Sequence, residues 1–92
     1  MSVLPDKIRI KIRFGSLMQR HTGMGNAELE VPQDLEAALA WILRAYAIPW
    51  ENDLAECHGV FINRIPLQRF SRENRTLKAG DTISFIPLVG GG

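Results

Sequence analysis

Lys7 to Phe14 reads KIRIKIRF, with Ile8, Ile10, Ile12 and Phe14 on one side and Lys7, Arg9, Lys11 and Arg13 on the other. A strict period of two is the mark of a strand with one face on a core and the other in water. Ala27, Leu29 and Val31 alternate with Glu28 and Glu30 and give a second strand, able to pair with the first as a hairpin. Between them, Gly15 to Gly25 mixes Gly, Ser, Thr and His with Leu17 and Met18, and reads as a long turn with an apolar clip. Pro32 stops the second ladder, and beyond it the period changes. Leu35, Leu39, Ile42, Leu43 and Tyr46 recur at helical spacing among Ala37, Ala38, Ala40 and Ala45. Asp34 is placed to cap this helix by accepting from N–H groups of its first turn. Pro49 is expected to end it, because proline disfavours helical geometry in the residue before it.

Trp50 to His58 is polar with two apolar anchors, Trp50 and Leu54, and predicts a loop or a short turn of helix. Gly59 to Ile62 and Ile65 to Phe70 predict two short strands joined at Asn63 and Arg64, a turn that at positive φ prefers glycine after asparagine. Leu77-Lys78-Ala79-Gly80-Asp81 predicts a turn into a last strand, Thr82 to Pro87, in which Ile83 and Phe85 alternate against Ser84 and Ile86. The order is strand, strand, helix, strand, strand, strand. One helix between a hairpin and later strands covers one face of a mixed sheet, so the expected class is α+β, a β-grasp of about five strands curled round one main helix. A crossover through that helix lets the first and last strands lie parallel.

Composition narrows the functions this fold can serve. The chain has 92 residues, enough for a single core and no second lobe. Its single cysteine supplies neither an internal disulfide nor a four-cysteine metal or cluster site, which sets aside disulfide scaffolds and ferredoxins. There is no apolar run long enough for a membrane span and no signal-peptide pattern, so a cytoplasmic location is expected. The net charge of +1 hides an alternation: residues 1–20 carry +4, residues 21–57 carry −6 and residues 58–92 carry +3. That alternation argues against nucleic acid, which selects a continuous basic footprint.

Candidate chemistry within the domain is sparse. Cys57 and His58 are adjacent, a poor arrangement for a nucleophile and its base, and no metal-ligand spacing surrounds them. His21 sits among polar residues with no carboxylate beside it. Gly23-Met24-Gly25 begins like a dinucleotide fingerprint but lacks the third glycine and precedes a strand, so it is a turn. Glu28 and Glu30 share a strand face and read as solvated side chains. No intrinsic cofactor or metal and no independent catalysis are expected.

The C-terminus differs. Leu88-Val89-Gly90-Gly91-Gly92 follows the last strand, and three consecutive glycines bury no side chain while losing the most backbone entropy on ordering. Five extended residues reach about 17 Å, far enough to enter another protein's site. The predicted organisation is a domain over residues 1–87 and an extended, flexible tail over residues 88–92. A frayed end or a leftover linker is the other reading of the same residues.

VFIN at 60–63, LKAGD at 77–81, ISFIP at 83–87 and the terminal glycines resemble the MoaD/ThiS family of ubiquitin-like sulfur carriers, and KIRIKIRFGSLMQRHTG at 7–23 is similar to the start of its MoaD-type members. Two departures stand out: Arg64 follows the asparagine where the family commonly has glycine, and the chain ends in three glycines instead of two. The resemblance implies that the Gly92 carboxylate, or that of Gly91 after trimming, is adenylated and converted to a thiocarboxylate. The implied partners are a MoeB- or ThiF-like adenylyltransferase, which uses ATP and Mg, a sulfur donor protein and a MoaE-like large subunit. Gly90, Gly91, Leu88, Phe61 and Ile86 are then the expected docking residues, with Arg64, Arg69, Arg72, Arg75 and Lys78 as a basic rim. The first expectation is sulfur delivery in molybdopterin synthesis. The others are a modifier conjugated through its terminal glycine, a ThiS-like carrier for thiazole, and a binding-only domain with an inert tail.

Overall fold

The computed structural model describes residues 7–50, 52–73 and 76–88, with the backbone alone at Asn52 and Asp53. Along the chain run β1 (Lys7–Phe14), α1 (Ser16–Thr22), β2 (Asn26–Pro32), α2 (Leu35–Ala45), α3 (Asn52–Glu56), β3 (His58–Ile62), β4 (Ile65–Pro66), α4 (Leu67–Glu73) and β5 (Thr82–Pro87). The strands form one sheet in the order β2-β1-β5-β3-β4. β1 and β5 are parallel, from Lys11 opposite Thr82 to Phe14 opposite Phe85, and the other ladders are antiparallel. This is the expected β-grasp, with the first and last strands side by side at its centre.

Alternation along the strands decides which face is buried. Ile10, Ile12, Phe14, Val31, Ile62, Ile83 and Phe85 are buried against Leu35, Ala38 and Ile42 of α2. Each large side chain so buried contributes about 1.5–3 kcal/mol. Asp34 caps α2 as expected, its Oδ2 accepting from the Ala37 N–H at 2.9 Å. The helix stops four residues before Pro49, by a different device. Ala47 takes φ 51°, the Ile48 N–H donates to the Leu43 carbonyl at 2.8 Å and the Ala47 N–H to the Arg44 carbonyl at 3.2 Å. This left-handed cap turns Ile48 into the core, and Pro49 only prevents resumption.

Two expectations are corrected. Residues 16–22 are a helix and not a turn: Met18 is fully buried, and Gly23, at φ 76°, closes α1 by donating to the Gln19 carbonyl. A helix of two turns with one buried residue shows too little of its period to be read. The segment 65–70 is a strand only at Ile65–Pro66, after which Leu67 and Phe70, three apart, pack inward from α4. The open alternative at Trp50 to His58 resolves as the short helix α3.

Candidate functional site

The end of β5 sits on an aromatic platform. Phe85 stacks on Phe14 at 5.9 Å between ring centroids and meets Trp50 edge-on at 5.7 Å, while Phe14 also meets Tyr46 edge-on at 5.3 Å. Gly15 lets β1 end close against this strand: its N–H donates to the Phe85 carbonyl at 2.8 Å, and a Cβ there would strike that carbonyl and the Pro87 ring. On the other side the Leu88 N–H donates to the Cys57 carbonyl at 2.8 Å. The chain therefore leaves the sheet from a fixed point.

Around that point lie three of the expected docking residues. Gly59 pairs with Ile86, and Phe61 with Ser84, so all four share the face of the sheet opposite α2. Ile86 is 45% exposed and Leu88 62%, two of the four most exposed large apolar side chains among the described residues. Phe61 is half-buried, because a Cβ on Gly59 would lie 2.9 Å from the Phe61 ring and 3.1 Å from Leu88. The glycine is the floor over which Phe61 and Leu88 close, a role that no pattern in the sequence assigns to it.

Four residues of the expected basic rim, Arg64, Arg69, Arg72 and Lys78, are among the described residues. Arg64 shares a groove with Arg13, Asn63, Thr82 and Ser84, beside the apolar cluster. Arg69 lies on α4 and pairs with Glu73 at 3.3 Å, one turn away on the same helix. Arg72 and Lys78 are exposed; Arg75 and the tail residues Val89, Gly90, Gly91 and Gly92 lie outside the described residues. Alternation puts Arg13 and Lys11 only on the solvated face of β1, although the expected parallel pairing with β5 is what places them beside Thr82 and Ser84.

The motif residues outside the tail make a clip. The Asn63 side-chain amide donates to Asp81 Oδ1 at 2.8 Å, its carbonyl accepts from the Thr82 N–H at 2.9 Å, and Asp81 Oδ2 accepts from the Lys78 N–H at 2.8 Å. VFIN and LKAGD thus form one hydrogen-bonded unit that fixes the entry of β5. Asn63 and Arg64 take φ 52° and 80°, the paired positive values of a tight hairpin turn.

Cys57 and His58 make no catalytic pair. His58 Nδ1 lies 2.9 Å from the Leu54 carbonyl, which can only accept, so Nδ1 carries a proton and cannot take one from the thiol 3.5 Å away. Among the described residues no group of three His, Cys, Asp or Glu side chains could hold a metal ion, and no helix is long and apolar enough to cross a membrane.

The sequence profile of the ThiS family matches residues 14–92. The chain belongs to the ThiS family. No curated protein matches it. Solved structures share its β-grasp fold. Small archaeal modifier protein 1 from Methanosarcina acetivorans matches with a TM-score of 0.73 and 17% identity, over 95% of this chain and 99% of that one. The putative molybdopterin converting factor subunit 1 from Pyrococcus furiosus gives 0.71 and 17%, over 89% and 99%. The complex of subunits 1 and 2 of the molybdopterin-converting factor from Helicobacter pylori gives 0.60 and 24%, over 92% and 100%. This ThiS-family chain therefore has the ubiquitin-like β-grasp fold, and its clip, platform and apolar cluster are how that fold presents the end of β5.

Proposed function

We propose that this chain is a sulfur carrier whose Gly92 carboxylate is adenylated and then converted to a thiocarboxylate. The observation that carries the reading is a family match running through the terminal glycines, on a chain whose last strand ends beside an exposed apolar cluster. A terminal carboxylate, which in free peptides titrates at about pH 3.3–3.7, is ionised at neutral pH and resists attack. Attack of its oxygen on the α-phosphorus of ATP releases pyrophosphate and gives an acyl-adenylate. Sulfide then adds at the acyl carbon and expels AMP, leaving the thiocarboxylate. ATP, Mg and the catalytic groups belong to a MoeB- or ThiF-like adenylyltransferase, which docks on Phe61, Ile86 and Leu88.

Molybdopterin synthesis is the preferred destination, with a MoaE-like large subunit as acceptor partner. It is supported by the likeness to two proteins described as molybdopterin-converting factor subunit 1, one of them solved with subunit 2. A protein modifier is the second reading, supported by the likeness to small archaeal modifier protein 1. Exchange of labelled pyrophosphate into ATP by the adenylyltransferase tests the shared first step. The full chain should support exchange, and a form lacking Gly91 and Gly92 should not while keeping the same unfolding midpoint. Equal exchange with both forms refutes the proposal.

A further inference from the structure

On the outer face of the sheet, side chains in register across the strands run Asn26, Arg13, Ser84, Phe61 and Pro66, and beside that row lie Glu28, Lys11 and Thr82. Glu28 stands directly opposite Lys11, yet its carboxylate turns to Arg9 at 3.1 Å, and Glu30 also lies 4.0 Å from Arg9. One arginine thus engages both acids of β2. Lys11, Arg13 and Arg64 are exposed and make no ion pair among the described residues. Arg13 joins three adjoining grooves: one with Lys11 and Thr82, one with Arg64, Asn63 and Ser84, and one with Ser84, Ile86 and Pro87. The cations are therefore continuous with the apolar cluster at the end of β5.

We propose that Lys11, Arg13 and Arg64 form a cationic strip that binds a carboxylate-bearing segment of the protein seated on Phe61, Ile86 and Leu88. The proposal rests on the reading of that apolar cluster as a docking surface and adds the chemistry of its occupant. Arg13 and Phe61 are two strands apart, about 10 Å, which an extended segment spans in three residues. The strip thus selects a segment with an apolar side chain and, about three residues away, an acid. A nucleic acid fits poorly, because three cations bounded by Glu28 and Glu30 on one side and apolar side chains on the other offer a backbone no continuous track. Charge of this kind chiefly sets the rate and register of association.

The test uses the full chain, labelled for amide NMR, and a short synthetic peptide carrying leucine with glutamate three residues on. Shifts should centre on Arg13, Arg64, Thr82 and Ser84, and affinity should fall about tenfold as ionic strength rises from roughly 0.01 M to 0.15 M, where the screening length contracts from about 30 Å to about 8 Å. The glutamine version of the peptide should bind at least tenfold more weakly. Arg13→Gln should weaken binding, and so should Arg64→Gly, which removes a cation while relieving a positive φ and so keeps the fold. Equal binding of the two peptides, shifts centred elsewhere, or tighter binding of a single-stranded oligonucleotide at these residues would overturn the proposal. Pyrophosphate exchange reads the carboxylate chemistry separately, so the two readings fail independently.

Discussion

The Asn63–Asp81 clip makes a quantitative prediction. Asn63→Ala removes the 2.8 Å bond to Asp81 and the 2.9 Å bond from the Thr82 N–H, and leaves a residue poorly suited to φ 52°. The bonds are solvent-exposed, so each is worth about 0.5–1 kcal/mol, the lower part of the usual range. The left-handed backbone adds about 1 kcal/mol, since alanine lacks the local hydrogen bonding that lets asparagine tolerate it. The sum is about 2–3 kcal/mol, and at about 4–8 °C per kcal/mol for a domain of this size Tm falls by roughly 10–20 °C. Asp81→Ala loses the shared bond and the cap on Lys78, about 1–2 kcal/mol. Because one bond is common to both variants, the double variant should be less destabilised than the sum by about 0.5–1 kcal/mol. Urea unfolding of the four proteins measures this coupling. Additivity to within about 0.3 kcal/mol would refute the clip as a single unit.

Three further outcomes follow from the same geometry. Ala47→Gly should raise stability by about 0.5–1 kcal/mol, read as a higher urea midpoint, because glycine takes the left-handed cap of α2 without strain. Gly15→Ala should cost about 1–3 kcal/mol by driving a Cβ to 2.8 Å from the Phe85 carbonyl, with amide exchange quickening at the β1–β5 ladder first. Phe61→Ala should weaken association with the adenylyltransferase at least tenfold in a binding titration, since a half-buried aromatic at the centre of an apolar cluster is the usual anchor of an interface. Unchanged association would remove the docking surface.

The parts of the fold legible in the sequence are those with enough repeats of one period. KIRIKIRF shows four repeats of a two-residue alternation, and α2 shows three turns with an N-cap, and both stand where expected. The helices α1 and α4 have seven residues each and one buried side chain, so their period is hidden and Leu67 to Phe70 reads as strand. No residue in the sequence marks the true stop of α2, since Pro49 is visible as a breaker whereas a left-handed alanine is not. At the site, the outward cluster of Phe61, Ile86 and Leu88 follows from alternation alone. Arg13 needs register: its neighbours Ser84 and Arg64 come from far along the chain, and only the parallel β1–β5 pairing brings them to it. Gly59 is silent in the sequence, since its importance lies in the space it leaves.

Intact mass reads sulfur on the last residue directly. The purified chain is incubated with ATP, Mg, a MoeB- or ThiF-like adenylyltransferase and sulfide, and its mass is compared with a reaction lacking ATP. The mass should show an ATP-dependent gain equal to sulfur replacing one oxygen, located by fragmentation at Gly92, and retained in Cys57→Ser because the cysteine takes no part. An unchanged mass with an enzyme that does charge its own carrier, or a gain located at Cys57, would contradict it.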